Sequence, residues 1–189
     1  MAKRRGLKRE TVVERAVEMA DTAGKLEMVT LTALAYSLGI QVPSLSNHIA
    51  NLNDLHQAMA VYAARRLIDR VRTAAAGQVG REALLSMANA YRQFAHEHPG
   101  IYPLTLRAPE PDDQILSALG QELLQMLLLV LASFGLQGEE ALHAVRGIRS
   151  LLHGFVALEA AEGFKMQLGR EDSYHRMVNT YLDGLECNR

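Results

Sequence analysis

The chain has 189 residues, 49% of them hydrophobic, enough to build a core without metals or disulfide staples. A formal net charge of -1 excludes a uniformly polyanion-binding protein, and the single cysteine, Cys187, can close no internal disulfide, so a reducing, cytoplasmic setting is expected. The opening MAKRRGLKRE lacks the apolar stretch of a secretory signal, and the longest apolar run, Met126 to Ala132, falls short of the roughly 18 residues of a membrane span.

Charge is unevenly distributed. Residues 1–9 carry Lys3, Arg4, Arg5, Lys8 and Arg9 and no acid, an arm that could neutralise phosphates or simply be a solvated terminus. Beyond it nearly every segment has helical period, so the expected fold is all-α. Val12, Val13, Ala16, Val17, Met19 and Ala20 predict a first helix from about Lys8 to Thr22, with Gly24 as a left-handed exit. Thr30 suits the N-cap of a short helix through Leu31, Leu34, Ala35 and Leu38, closed by Gly39. Pro43 fits the first turn of a third helix running to about Ile49. Asn53 or Asp54 is the expected cap of a longer fourth helix, to about residue 76, bearing Leu55, Met59, Tyr62, Leu67 and Val71.

The run AAAGQVG, residues 74–80, is a clear boundary. Leu84, Ala88, Tyr91 and Ala95 give a fifth helix, stopped by His98-Pro99-Gly100, and a short segment from Ile101 to Leu106 leads into the breaker APEPDD. Two long helices follow, about Asp112 to Phe134 and Gly138 to Ala161. The second is apolar nearly all round, which asks for cover on both sides, and a second subunit would supply it. The last helix offers a stripe of Tyr174, Met177, Val178, Tyr181, Leu182 and Leu185 that could complete an intersubunit bundle.

Residues Thr30 to Leu55 carry the most information. Two short helices joined by a tight Leu38-Gly39-Ile40 turn make a helix-turn-helix pattern, whose second helix would enter a DNA major groove. Leu34, Leu38, Ile40, Leu45 and Ile49 would hold the crossing angle. That leaves Gln41, Val42, Pro43, Ser44, Ser46, Asn47 and His48 outward, where Asn can bond adenine bidentately, Ser most bases, and Val or Pro a thymine methyl. Periodicity alone equally fits two surface helices facing water.

The first 60 or so residues resemble the DNA-binding domain of the tetracycline-repressor (TetR) family. The resemblance rests on Gly24, the Thr-capped helix with Leu34-Ala35, and Leu38, Gly39, Ile40, Ser44, Leu45, His48 and Ile49 at the family spacing. It implies a three-helix DNA-binding domain over 1–55 and a helical effector-binding and dimerisation domain over 56–189, linked by the helix from about 54 to 76. It puts Thr32, Ser46 and His48 towards phosphates and Gln41, Ser44 and Asn47 towards bases, with Thr30, Val42 and Pro43 completing the DNA-binding set. Two positions depart from the family: Ser46 replaces a usual Tyr and Leu52 a usual Lys, both of which commonly serve the DNA backbone.

The later chain resembles the subgroup whose effector domain carries a Trp-His-Gly-type motif. The residues that carry this are His98-Pro99-Gly100 with Tyr102, Arg107-Ala108-Pro109, Leu152-His153-Gly154-Phe155 and Leu158-Glu159, with Leu152 in place of the Trp. This resemblance implies a ligand cavity between helices and a homodimer built from the last two long helices. Tyr62, Tyr91, Phe94, Tyr102, Met126 and Phe134 are candidates for an apolar lining or plain core. Arg146, Arg149 and His153 form a polar stripe that could anchor an anionic effector, Arg149 and His153 foremost, or pair internally with acids such as Glu122 or Glu159.

No catalytic or metal constellation is expected, and no cofactor. His96-Glu97-His98 on a helix splays its imidazoles about 200° apart, a geometry better suited to a frayed helix end. The expected function is a ligand-responsive regulator released from a palindromic double-stranded DNA operator by a small-molecule effector, with no membrane partner. The second reading, resting on Ser46 and Leu52, is a dimeric helical ligand-binding protein whose DNA binding is weakened or lost.

Overall fold

A computed structural model describes residues 7–187, so Lys3, Arg4 and Arg5 of the basic arm lie outside the described residues. Among those residues there are eight α-helices and no strand, as the all-α expectation required: α1 (Arg9–Ala23), α2 (Leu31–Ser37), α3 (Val42–Leu45), α4 (Leu52–Ala75), α5 (Gly80–Glu97), α6 (Gln114–Ala132), α7 (Gly138–Ala160) and α8 (Arg170–Cys187). Two 3-10 turns, Leu26–Met28 and Tyr102–Thr105, sit between them.

Two helix starts differ from expectation for one reason, the reach of a capping side chain. Asn51, not Asn53 or Asp54, caps α4: its Oδ1 accepts from Asp54 N at 2.9 Å, while Asp54 Oδ2 accepts from Ala50 N at 2.8 Å. The pair satisfies Asp54 N, one of the N–H groups a helix start leaves orphaned, and also the Ala50 N–H that precedes the cap. Likewise Asp113 caps α6, accepting from Leu116 N at 2.9 Å, so that helix begins at Gln114 rather than Asp112.

The chain falls into two compact units. The first takes the residues up to Arg66 together with Glu97–Ser117. Its core is made by one face of α1 (Val12, Ala16, Ala20), Leu34 and Ala35 of α2, Leu45, Ile49, and Leu55 and Met59 of early α4, all at or near full burial. The segment after α5 is fastened to the end of α1. Asp21 of α1 accepts at one oxygen from Gly100 N (3.1 Å) and Ile101 N (3.2 Å), and its other oxygen pairs with His98 Nδ1 at 2.6 Å. Gly100 is buried so tightly that a Cβ would collide with the carbonyl group of Ala20 and with Asp21 N. Further along, the second oxygen of Asp113 accepts from Gln57 Nε2 of α4 at 3.0 Å. His98 is therefore pinned by a carboxylate, not exposed at a frayed end.

The second unit takes Leu67–His96 and the chain from Ala118 onward. Leu84, Met87 and Phe94 of α5, Ile148, Leu152 and Phe155 of α7, and Tyr174, Val178 and Leu182 of α8 fill its core. A buried cation crosses it. Arg92 donates from Nε and Nη2 to both oxygens of Glu159 (3.0 and 2.7 Å) and from Nη1 to Glu171 (2.7 Å), with its guanidinium 4.4 Å from the Tyr174 ring centroid. The side chains of Arg92 and Glu159 are only 11% and 7% exposed. Burial alone would push the Glu159 carboxyl up, but hydrogen bonds from Arg92 and His96 win and hold it below its ordinary value. Tyr174 donates to Ala88 O at 2.7 Å, which ties α8 to α5. Tyr181 donates to Ala144 O at 2.7 Å and packs where Gly147 leaves no Cβ, tying α8 to α7.

Helix α6 is more apolar than its short unbroken runs suggest. It has 19 residues, and an 18-residue window within it reaches a mean hydropathy of 1.8, enough by length and composition only to cross a bilayer. Unbroken apolar runs understate it because Gly120, Gln121, Glu122 and Gln125 interrupt an otherwise Leu-rich helix. Of its residues only Leu131 is buried.

Two outcomes follow from these contacts. Gly100→Ala should lower stability by about 1–3 kcal/mol, read as a lower urea midpoint, because the backbone of α1 must give way. Glu159→Gln should cost about 3 kcal/mol near neutral pH, since it strips a buried cation of its closest counter-charge. A carboxylate held below its ordinary 4.5 contributes above that value and stops contributing as pH falls through the lower folded value. The urea midpoints of wild type and Glu159→Gln should therefore converge in acid, and a gap independent of pH would refute this assignment.

Candidate nucleic-acid interface

The outward surface of α2 and α3 is set by what they bury. Leu34, Leu45 and Ile49 are at most 1% exposed and fix the two helices against each other and against α1. The α2 start is capped by Thr30, whose Oγ1 accepts from Ala33 N at 3.1 Å. Its end depends on Gly39, held at φ 67 in the left-handed region, while Gly39 N donates to Tyr36 O and Ile40 N to Ala35 O. The chain then reverses into Gln41, whose carbonyl accepts from Ser44 N and Leu45 N and opens α3.

The recognition helix is shorter than the sequence suggests. Regular α-helix ends at Leu45, and the chain continues to Ile49 through turns in which Leu45 O accepts from both His48 N and Ile49 N. Ser46 Oγ donates to Pro43 O at 2.6 Å, engaging a carbonyl that a continuing helix would use for its own ladder. Around this core Thr30, Thr32, Gln41, Val42, Pro43, Ser44, Ser46 and Asn47 are exposed, and His48 is half-buried. All nine candidate DNA-binding residues thus lie within one helix-turn-helix of the first unit, and Leu52 is also exposed at the start of α4.

Arg9 has a role that the basic-arm reading missed. Its guanidinium donates to His48 O (2.7 Å) and to both oxygens of Asp54 (3.0 and 2.5 Å). The hydrogen bond from Arg9, together with that from Ala50 N, outweighs burial and holds the Asp54 carboxyl below its ordinary value. Arg9 therefore fastens the start of α1 to the end of the reading segment, and its charge is already matched. Nothing in the local sequence signals this pairing across 45 residues. Tyr36 was also missed, although its place four residues after Thr32 on a four-residue helical repeat was available. It is 88% exposed on α2.

The candidate ligand residues are distributed across the two units. Tyr62, beneath the Arg66 guanidinium at 5.9 Å, and buried Tyr102 belong to the first. Half-buried Tyr91, buried Phe94, half-buried Met126, exposed Arg149 and half-buried His153 belong to the second. Of the acids considered as internal partners, Glu122 is held by Arg72, and Glu159 by Arg92 and by His96 at 2.9 Å. A shallow apolar groove of about 380 Å³ opens between the end of α6 and the start of α7, lined by Leu128, Ala132, Leu136, Gln137, Gly138, Ala141 and Leu142, none of them a predicted ligand residue. Among the described residues no cluster of three His, Cys, Asp or Glu side chains is placed to hold a metal.

Comparison with known proteins agrees with this geometry. Residues 84–181 match the family model described as tetracyclin repressor-like, C-terminal domain. The chain is 34% identical over its whole length to the HTH-type transcriptional regulator YobS of Bacillus subtilis, covering 97% of that protein. It is 39% identical over 95% of its length to the HTH-type transcriptional regulator Rv0681 of Mycobacterium tuberculosis, covering 82% of it. Among solved structures, a TetR variant from Acinetobacter baumannii AYE in complex with minocycline superposes with a TM-score of 0.72 at 20% identity, covering 97% of this chain and 98% of that one.

The clamp at Asp54 can be tested directly. Asp54→Ala should cost about 1 kcal/mol through loss of the helix-start acceptor, and exchange of the Ala50 amide should accelerate beyond the global change. Unchanged protection at Ala50 would remove the clamp from the account.

Proposed function

The chain belongs to the TetR family of helix-turn-helix transcriptional regulators, and from that premise we propose that it is a cytoplasmic repressor which leaves a palindromic operator when a small-molecule effector binds. The observation that carries this reading is the exposed, uncharged row Gln41, Val42, Pro43, Ser44, Ser46 and Asn47, held out by Leu45 and Ile49 beneath it. Gln41, Ser44 and Asn47 supply hydrogen-bonding groups for base edges, while Val42 and Pro43 supply apolar contacts for thymine methyls. Thr32 and His48 serve the backbone, and phosphate contacts of this kind set register rather than sequence; Ser46, whose hydroxyl donates to Pro43 O, has no proton left for a phosphate.

The partner for symmetric reading is a second copy of the chain, associated through α7 and α8. Leu142 and Leu158, exposed on α7, support this. In such a dimer two recognition helices lie about 34–36 Å apart, one turn of DNA, so each half-site takes one helix. The effector half binds a small molecule among Tyr91, Phe94, Met126, Arg149 and His153, all of the second unit. The minocycline complex of the structural neighbour supports a small-molecule effector as a class, not that compound. Helix α4, which contributes residues to both units, is the covalent route for the signal. A coupling of about 1–3 kcal/mol would change operator affinity roughly 5–150-fold.

The test is selection of bound fragments from a random DNA pool by the purified protein, with Asn47→Ala as the control. The expected result is a two-fold-symmetric consensus, with Asn47→Ala weakening binding to it by about 1–3 kcal/mol and leaving random DNA almost unaffected. Failure to enrich any consensus would overturn the repressor reading.

A further inference from the structure

The reading surface lacks charge altogether. Between Glu27 and Asp54 there is no Asp, Glu, Lys or Arg, so α2, the turn and α3 present phosphates with neutral donors and the single imidazole of His48. Two of those donors are already engaged. Ser46 turns its hydroxyl to Pro43 O, while Thr30 Oγ1 only accepts, as the α2 cap, and keeps its proton. Ser37 faces inward, donating to Leu34 O at 2.8 Å and accepting from Arg15 Nε of α1 at 3.3 Å.

Tyr36 is not engaged in this way. Its side chain is 88% exposed, the largest exposure of any big apolar or aromatic residue among those described, and its hydroxyl has no partner among the described residues. Buried Leu34 and Ala35 and the α1-facing Ser37 define the packed sides of α2, and the i, i+4 spacing puts Tyr36 on the same outer face as Thr32. Its own carbonyl accepts from Gly39 N, so it stands at the turn that delivers the recognition helix. A tyrosine combines an apolar ring with a polar tip, which suits a wet surface against a polyanion, and its hydroxyl is a normal donor to phosphate oxygens.

We propose that Tyr36 is a DNA-backbone contact of this protein, its phenolic hydroxyl donating to a phosphate that flanks the groove read by α3. The proposal rests on the DNA-binding reading above. It assigns to α2 a phenol that the recognition helix lacks, since Ser46 stands there with its hydroxyl turned inward. A neutral donor releases no counterion, so this contact adds affinity without adding salt dependence.

The experiment measures dissociation constants of the full-length protein over a salt series, on the selected operator duplex and on a random-sequence duplex of equal length. The variants are Tyr36→Phe and Tyr36→Lys, each with a thermal melt. The exposed ring predicts unchanged melting for both. Tyr36→Phe should weaken both duplexes by a similar factor, about 2–10-fold, with the salt slope unaltered. Tyr36→Lys should steepen the slope of log K against log salt by about 0.9, as one more cation meets a phosphate. Wild-type affinity in Tyr36→Phe, or an unaltered slope in Tyr36→Lys, overturns the contact. A loss confined to the operator overturns the phosphate assignment in favour of sequence readout. If the wild-type protein enriches no consensus, the repressor reading fails alone, because the Tyr36 contact is still read on the random duplex; absence of any DNA binding defeats both.

Discussion

The first unit depends on one carboxylate. Asp21 ends α1, and its two oxygens take the imidazole of His98 and the consecutive amides of Gly100 and Ile101. Those amides begin a segment with no regular helix of its own to satisfy them, so the carboxylate does for this segment what a cap does for a helix. The close approach of Gly100 to the Ala20 carbonyl is the steric counterpart of the same contact. Because Asp21 lies on the helix that buries Val12, Ala16 and Ala20 beneath the reading segment, residues 97–101 and the helix-turn-helix share one core.

The division of the chain in space therefore differs from its division by homology. Residues 84–181 match a tetracyclin repressor-like C-terminal-domain model, yet Glu97–Ser117 packs with the helix-turn-helix unit. Asp113 reinforces this: one oxygen starts α6 and the other holds Gln57 on α4.

Legibility from sequence followed the range of the interaction responsible. Helix periods, the Gly24 and Gly39 exits and the Thr30 cap were legible because each depends on residues within one or two turns. Leu34, Leu45 and Ile49 were legible as a core because helical spacing names them. The α4 cap was misplaced by two or three residues because Asn51, Asn53 and Asp54 are all competent caps, and only geometry shows that Asn51 accepts while Asp54 reaches back. The early end of α3 was hidden in a serine whose hydroxyl could face either solvent or a carbonyl. Pairings across the chain, Arg9 with Asp54, Asp21 with His98 and Arg92 with Glu159, left no local mark. The apolarity of α6 was hidden differently, by polar interruptions that break a run without lowering the average.

Charge placement separates two properties that DNA-binding proteins often combine. Non-specific affinity comes mainly from cations that release condensed counterions, whereas discrimination comes from base-edge contacts. Here the segment from Met28 to Asn53 carries no formal charge, and Arg9, the basic residue tied to its end, is neutralised by Asp54. On the proposed reading the helix-turn-helix therefore supplies discrimination with little electrostatic attraction of its own. The attraction falls to Lys3, Arg4, Arg5 and Lys8, which precede α1 in the sequence. Such a split keeps the ratio of specific to non-specific binding high even where absolute affinity is modest, because base-edge contacts reward a matching sequence and give little to a non-matching one.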